Sequence, residues 1–199
     1  MSAAVLFILT LLGCKTTIVE KNNTLKKEQI ESFDISSFRK TGATLNEVNT
    51  EIDNDTIIER SEMIDTFVQT TYSINSAFKT KKSFYKKNLQ LKAEANFFYD
   101  FTIGIARQYD MEGHLIKEKD CDKCCAFDVV DLMSKFKKEF NIDLSSRVKK
   151  SVVRGGENDK WIYIIAIQLS DNPKGDSRQI KVDAESGTIL EDKVISYPE

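Results

Sequence analysis

Three cysteines within the five residues "CDKCC" are the residues of this chain whose type and spacing best suit chemistry. Cys121, Cys124 and Cys125 precede a segment with helical periodicity, and a Cys-x-x-Cys pair at a helix start favours the thiolate. Such residues can form a disulfide, bind a metal or exchange thiols. A zinc site needs four ligands, and His114 is the one histidine nearby. We expect a disulfide from Cys121 to Cys124 or Cys125, with the third thiol unbridged.

His114 is the single histidine of the chain, so Ser-His-Asp chemistry could be built only on it. It follows a turn glycine, and its neighbours in sequence do not form a catalytic arrangement. We interpret it as an exposed residue at a strand start rather than a metal ligand or general base. Gly155-Gly156 and Pro173-Lys174-Gly175 are typical of turns, outside any phosphate-binding strand–loop–helix context. The sequence therefore predicts no catalytic residue, no metal and no cofactor.

A cluster of lysines is the second candidate site. Six of them fall within 14 residues that contain no acid. They could form a patch for an acidic partner or for anionic lipid head groups, or they could be a solvated strand edge that discourages aggregation. The candidate binding patch consists of Lys79, Lys81, Lys82, Lys86, Lys87 and Lys92.

The overall composition is that of an ordinary globular chain. Hydrophobic residues make up 41% of the 199 residues, which is enough for a core. The formal net charge is −2, so we expect no nucleic-acid partner.

The start of the chain carries an export pattern. Residues 3–12 are almost wholly apolar, too few for a membrane-spanning helix but suited to a secretory signal. The run ends in Leu11-Leu12-Gly13-Cys14, which resembles the lipobox of bacterial lipoproteins. The resemblance implies cleavage before Cys14, a diacylglycerol on its thiol and an acyl chain on its amine. Several acyl chains anchor a protein stably, so we expect a lipoprotein of the cell envelope. No acidic run follows Cys14, so we expect the anchor to face the periplasm.

The remainder divides into regions by pattern. Residues 1–13 are the predicted signal peptide, and 14–54 are polar and predict a tether. Alternation of apolar and polar residues from Leu89 to Ile105 predicts strands with a turn near 98–101, within a β-hairpin region spanning 55–120.

A helix and a meander are predicted to fill residues 121–199. An apolar stripe at helical spacing in "FDVVDLMSKFKKEF" predicts a helix, and "WIYIIAIQL" predicts a central strand in which Trp161 is well buried. We read "RGGENDK" as a loop. The predicted fold class is α+β: an antiparallel β-rich hairpin region, then a helix packed on an antiparallel β-meander.

Two segments resemble known families. Gly104-Ile105, Tyr109-Asp110, Gly113, Leu115-Ile116 and Glu118 resemble a MORN- or YD-type repeat, which implies a β-sheet binding surface. Val182-Asp183-Ala184, Gly187 and Ile189-Leu190 resemble the C-terminal hairpin of PepSY domains, which implies an inhibitory or partner-binding module over 126–195.

Together these patterns predict a non-enzymatic, membrane-anchored envelope lipoprotein that binds a protein partner, as an inhibitor or immunity protein. Two alternatives stay open. One is a thiol, disulfide or metal protein that uses "CDKCC", and the other is a purely structural lipoprotein.

Overall fold

Two antiparallel sheets form most of the computed structural model, which describes residues 31–171 and 175–196. The first sheet is a seven-stranded meander in which every strand pairs with its neighbours in sequence. Its strands are β1 (Val48–Asp53), β2 (Thr56–Glu62), β3 (Thr66–Ser73), β4 (Phe78–Tyr85), β5 (Leu91–Phe98), β6 (Phe101–Tyr109) and β7 (Leu115–Asp120).

The second sheet has four strands in the order β11-β10-β9-β8. They are β8 (Lys150–Glu157), β9 (Lys160–Gln168), β10 (Ser177–Asp183) and β11 (Ile189–Ile195). Two helices complete the described part, α1 (Ile35–Lys40) and α2 (Val129–Phe140). The predicted α+β class with an antiparallel meander is confirmed.

The predicted turn in the long alternating segment separates β5 from β6. Tyr99 and Asp100 connect these strands, and Tyr99 has a positive φ of 51° and is buried. The next hairpin turns where Asp110 and Gly113 predicted it, because the Asp110 side chain accepts hydrogen bonds from the backbone N–H groups of Glu112 and His114.

Helix α2 lies where its apolar stripe predicted it. Asp128 caps its start by accepting a hydrogen bond from the Asp131 N–H, and Asn141 ends it in the left-handed conformation. Val129, Leu132 and Phe136 are buried in the larger of two hydrophobic cores, together with residues of β8, β9 and β10.

Both cores lie on the same face of the seven-stranded sheet. The larger core includes Phe98 and is continuous with α2 and the second sheet. The smaller core contains Phe67, Phe84 and Leu91 of the sheet, covered by Phe33 and Phe38. Side chains alternate between the faces of a sheet, so the opposite face contributes to neither cluster.

The tether prediction for 14–54 is wrong over its described part. Phe33 and Phe38 are buried, and the Phe33 ring stacks on Phe67 with ring centroids 4.7 Å apart. Helix α1 and strand β1 also lie in this range. The two phenylalanines are embedded in polar sequence, so no periodicity revealed that they would cover the end of a sheet formed later in the chain.

The prediction for β9 is correct in position and wrong in detail. Trp161 is only partly buried, whereas Tyr163 and Ile165 are fully buried. Trp161 is the second residue of β9, beside the β8–β9 turn, so water reaches it. The segment read as a loop from Arg154 belongs largely to β8, which continues to Glu157.

Candidate functional site

The segment Cys121–Cys125 connects the last strand of the first sheet to helix α2, and Arg154 of β8 holds it in place. The guanidinium donates to Asp122 Oδ1 at 2.7 Å, to the Thr102 carbonyl at 2.5 Å and to the Cys121 carbonyl at 2.9 Å. It also lies over the Phe101 ring, 4.8 Å from the centroid. One side chain of the second sheet therefore binds the backbone of the first sheet and of the segment that follows it.

Asp122 completes this junction. Its second carboxylate oxygen accepts a hydrogen bond from the Gly104 N–H at 2.6 Å. Gly104 has a positive φ of 61° and lies where the pairing of β5 with β6 is interrupted by a bulge. The carboxylate thus stabilises an irregular point of the sheet, and the Arg154–Asp122 ion pair is mostly buried, with 7% of the arginine side chain exposed.

The cysteines are arranged differently from the prediction. No disulfide joins Cys121 to Cys124 or Cys125 in the described residues. The Cys121 thiol is directed towards the Lys119 carbonyl, 3.8 Å away, and the Cys124 thiol donates to the Cys121 carbonyl at 3.7 Å. The sulfurs of Cys124 and Cys125 lie 2.9 Å apart. The turn directs the Cys121 side chain to a carbonyl group instead of to the other thiols.

Burial controls the protonation of this pair. Burial, together with the hydrogen bond that the Cys125 thiol donates to Cys124, raises the pKa of Cys125 to about 12. Arg154 lowers this pKa, but its effect is smaller than that of burial. Cys125 is therefore a thiol at neutral pH. In the described ranges 31–171 and 175–196, no group of three or more Cys, His, Asp or Glu side chains is placed to hold a metal ion.

His114 lies at the β6–β7 turn, as the sequence indicated. Its side chain is 73% exposed, and its Nδ1 lies 3.0 Å from Asp110 Oδ2. The structure thus gives it a local contact to the turn aspartate.

The six lysines of the predicted patch do not share one surface. Alternation along β4 separates Lys79 and Lys81 from Lys82. Lys82 lies on the core-bearing face and forms an ion pair with Glu31 at 2.5 Å, and Lys86 pairs with Glu62 at 2.8 Å. Lys87 lies in the β4–β5 turn, and the Lys92 ammonium lies 5.4 Å from the Tyr85 ring centroid. The six lysines therefore do not form one continuous patch, and Lys79 and Lys81 lie side by side on one face.

Lys79 and Lys81 lie on the face of the seven-stranded sheet that bears neither core, which we call the open face. A row of directly opposed residues crosses this face over six strands. We call it the cross-strand row, and its members are Ile52, Ile57, Tyr72, Lys79, Phe97 and Thr102.

The centre of the row is aromatic and basic. The Lys79 ammonium lies 5.7 Å from the Phe97 ring centroid and 2.8 Å from Asp100 Oδ1. Ile52 at the sheet edge is 64% exposed. Lys81 lies on the same face, directly between Thr70 and Ala95, and burial, with Lys79 nearby, lowers its pKa. Because Thr70 and Ala95 are small, the larger side chains of the cross-strand row project above the surface next to them.

A shallow groove of about 380 Å³ lies on the core-bearing face of the same strands, because the register pairs Phe78 with Phe98 and Thr80 with Asn96 on that side. Its lining includes Thr71, Thr80, Asn96 and Phe78, and no carboxylate, histidine or cysteine is among the residues that line it. The groove supplies hydroxyl and amide groups beside aromatic rings, which suits contact with a surface more than acid–base chemistry.

The lipobox lies outside the described residues, so the lipidation of Cys14 stays a prediction. Within the described residues, no helix is long and apolar enough to cross a membrane.

Comparison with known proteins adds little. No family and no curated protein matches the sequence. Among solved structures, a candidate lipoprotein from Clostridium difficile 630 aligns with 81% of this chain and 90% of its own, at 14% identity and a TM-score of 0.25. A TM-score this low supports no statement about fold or function. The MORN-like, PepSY-like and lipobox resemblances therefore stay predictions.

Two features of the site were missed in the sequence. Arg154 was assigned to a loop, although the apolar Val152 and Val153 before it indicated a strand that could extend further. The cross-strand row was missed because it joins residues from six strands, and a sequence pattern shows only one strand at a time.

Proposed function

We propose that this chain is a non-enzymatic protein-binding module, held at the bacterial cell envelope by a lipid on Cys14, and that the open face is its docking surface. An inhibitor or immunity role needs no more than such a surface, placed where an incoming protein must pass. The observation that carries the proposal is the cross-strand row, which presents isoleucine, tyrosine and phenylalanine on a face that no core cluster includes.

The residue types of the open face indicate the chemistry of the partner. Tyrosine and phenylalanine supply large contact areas with few rotatable bonds and dominate many protein interfaces. The basic side chains of this face are Lys79, Lys81, Lys117 and Lys119, and the register places Lys117 and Lys119 opposite Gln108 and Ala106.

The strands of this face therefore carry more basic than acidic side chains, and Asp100 in the β5–β6 turn pairs with Lys79. Glu59 is its one acid on strands β2–β7, and Glu59 accepts a hydrogen bond from the Tyr72 hydroxyl at 2.8 Å. Positive and negative patches steer partners together and fix their register. The partner that fits is a protein whose surface offers apolar side chains to Tyr72 and Phe97 and acidic side chains to the lysines beside them.

The membrane anchor is tested by Cys14→Ala. We expect the wild-type protein to fractionate with membranes and to carry a diacylglyceryl N-terminal cysteine, and the variant to be released. Mass spectrometry of the mature N-terminus measures this directly. A wild-type N-terminus that retains residues 1–13 without lipid would contradict the anchor and leave the docking surface to be tested separately.

The docking surface is tested by site-specific photo-crosslinking in producing cells. A benzophenone side chain at position 97 lies in the cross-strand row, whereas one at position 64 is a matched control, because Ile64 is 77% exposed in the β2–β3 turn. We expect a discrete protein adduct from position 97 only. The adducted protein, once purified, must bind the wild-type chain saturably.

Affinity measurements then test whether the open face itself makes the contact. Tyr72→Ser with Phe97→Ser should weaken binding of the purified partner about thirtyfold or more, since hot-spot aromatics contribute at least ~2 kcal/mol. The control Ile64→Ser should leave the affinity unchanged. Binding of phosphatidylglycerol vesicles through Lys79 and Lys81, without a protein adduct, would instead identify a membrane-facing surface and overturn the proposal.

A further inference from the structure

The adjacent thiols of Cys124 and Cys125 form a second candidate site, unrelated to the open face. Their sulfurs lie 2.9 Å apart, and a disulfide requires about 2.05 Å, so about 0.9 Å of movement would join them. Cys125 belongs to the larger core, while Cys124 packs against that core and is partly accessible. The pair therefore has one sulfur near solvent and one behind it.

We propose that Cys124 and Cys125 are a redox-active vicinal dithiol that low-molecular-weight or protein disulfides oxidise to a Cys124–Cys125 disulfide. Cys124 is the attacking residue, since it is the more accessible of the two. Cys125 is the resolving residue, and its buried position keeps it protonated until a mixed disulfide forms beside it.

The exchange balances with an oxidant of the form RSSR. The Cys124 thiolate attacks one sulfur of RSSR, the S–S bond breaks, and RS⁻ leaves. The Cys125 thiol then gives its proton to this first RS⁻, and its sulfur attacks Cys124 Sγ. The second RS⁻ leaves and takes up the proton that Cys124 released. The net products are one protein disulfide and two RSH.

The geometry also predicts how easily the bond is reduced. Successive Cα atoms across a trans peptide are about 3.8 Å apart, whereas disulfides normally join Cα atoms about 4.4–6.8 Å apart. Strain of this kind makes a disulfide more reducible. The proposed bond is therefore a labile one that responds to the thiol balance of its surroundings, unlike a structural disulfide.

Trypsin separates this pairing from the one predicted at Cys121. Cleavage after Lys119, Lys123 and Lys135 puts Cys121 in the peptide 120–123 and both Cys124 and Cys125 in the peptide 124–135. The experiment equilibrates the detergent-solubilised full-length protein with oxidised and reduced glutathione, blocks thiols with iodoacetamide and analyses the unreduced digest by mass spectrometry.

The expected result is an unalkylated peptide 124–135 that is lighter by two hydrogens, beside a fully alkylated peptide 120–123. Dithiothreitol should restore two alkylatable thiols in 124–135. Cys125→Ser removes the resolving thiol and should accumulate glutathione on Cys124, while Cys121→Ser should leave the vicinal bond unchanged.

Three results would overturn the proposal. They are a bridge between the two peptides, three alkylated cysteines at every glutathione ratio, or a wild-type glutathione adduct on Cys124 that never resolves. None of them bears on the crosslinking test of the open face, so the two proposals fail independently.

Discussion

Replacing Arg154 with alanine should destabilise the protein more than replacing Arg178, the other arginine on the second sheet that pairs with an aspartate. The wild-type Arg154 side chain makes three hydrogen bonds to the first sheet and to the segment before α2, and it stacks on Phe101. The alanine variant leaves the Asp122 carboxylate without its cation and two carbonyl groups without this donor. These groups remain partly screened from water by the surrounding sheets.

The magnitude follows from burial. Removing one member of a buried ion pair costs about 3–5 kcal/mol, because the other charge stays behind uncompensated. The Asp122 side chain is 30% exposed and retains its bond from the Gly104 N–H, so water relieves part of the loss. We therefore expect a decrease of about 3 kcal/mol in the free energy of unfolding, a large share of the ~5–15 kcal/mol of an ordinary domain.

Urea unfolding followed by circular dichroism measures this loss, and Arg178→Ala is the matched control. Arg178 forms a two-point pair with Asp192 on the same sheet, but its side chain is 32% exposed. An exposed pair contributes about 0–1 kcal/mol. Arg154→Lys should fall between the two, because one ammonium cannot reproduce the planar guanidinium contacts.

The reasoning is refuted if Arg154→Ala lowers the free energy of unfolding by about 1 kcal/mol or less, no more than Arg178→Ala does. That result would mean that the apolar core and the contacts of Ser146 and Arg147 with the first sheet hold the two sheets together without Arg154. If the wild-type chain unfolds in one transition and the variant in two, the arginine is what couples the sheets into one cooperative unit.

Three other predictions concern stability. Ile165→Ala should cost about 2–5 kcal/mol, since Ile165 is fully buried, while Ile164→Ala on the other face of β9 should cost clearly less; comparison of the two urea midpoints decides. Gly187→Ala should cost more than about 1 kcal/mol by thermal unfolding, because φ is +71° and the new Cβ would lie 2.5 Å from the Phe127 ring, and an unchanged midpoint would show that this turn shifts freely. Backbone hydrogen bonds hold the pKa of Asp183 below its usual value, so its stabilisation of the fold is present above about pH 4 and is lost as pH falls through the lowered pKa. The difference in unfolding free energy between wild type and Asp183→Asn should therefore be constant at higher pH and shrink as the pH is lowered below about 4.

Local patterns were enough to locate most of the strands and α2. The period-two alternation around β5 and β6, and the aspartate and glycine of the following turn, depend on neighbours in sequence. The assignment of faces did not follow from the same pattern. An irregularity at Lys92 lets Leu91 pair with Phe84 while Ala93 pairs with Ser83, so Leu91 faces the core and Phe97 faces outward.

Long-range contacts explain the remaining errors. Lys81 and Lys82 are adjacent in sequence, and a strand places them on opposite faces, so a cluster of lysines along the chain did not make a patch. Arg154 meets Thr102 across 52 residues of sequence, and Phe33 meets Phe67 across the smaller core. Such contacts depend on the register and stacking of complete sheets, which no window of sequence contains.

The sequence assigned to Cys121 the role of tying the end of a hairpin to the start of a helix, and in the structure Arg154 fills that role. A Cys121–Cys124 disulfide would close a loop so short that it removes little entropy from the unfolded chain. The arginine instead joins Asp122 and the Cys121 carbonyl to β8, 32 and 33 residues further along, and to the Thr102 carbonyl at the end of the cross-strand row. Because these contacts hold the segment by its backbone and carboxylate, its thiols are not needed to fix the junction. Cys124 and Cys125 can therefore change their bonding while the sheets and the open face stay in place.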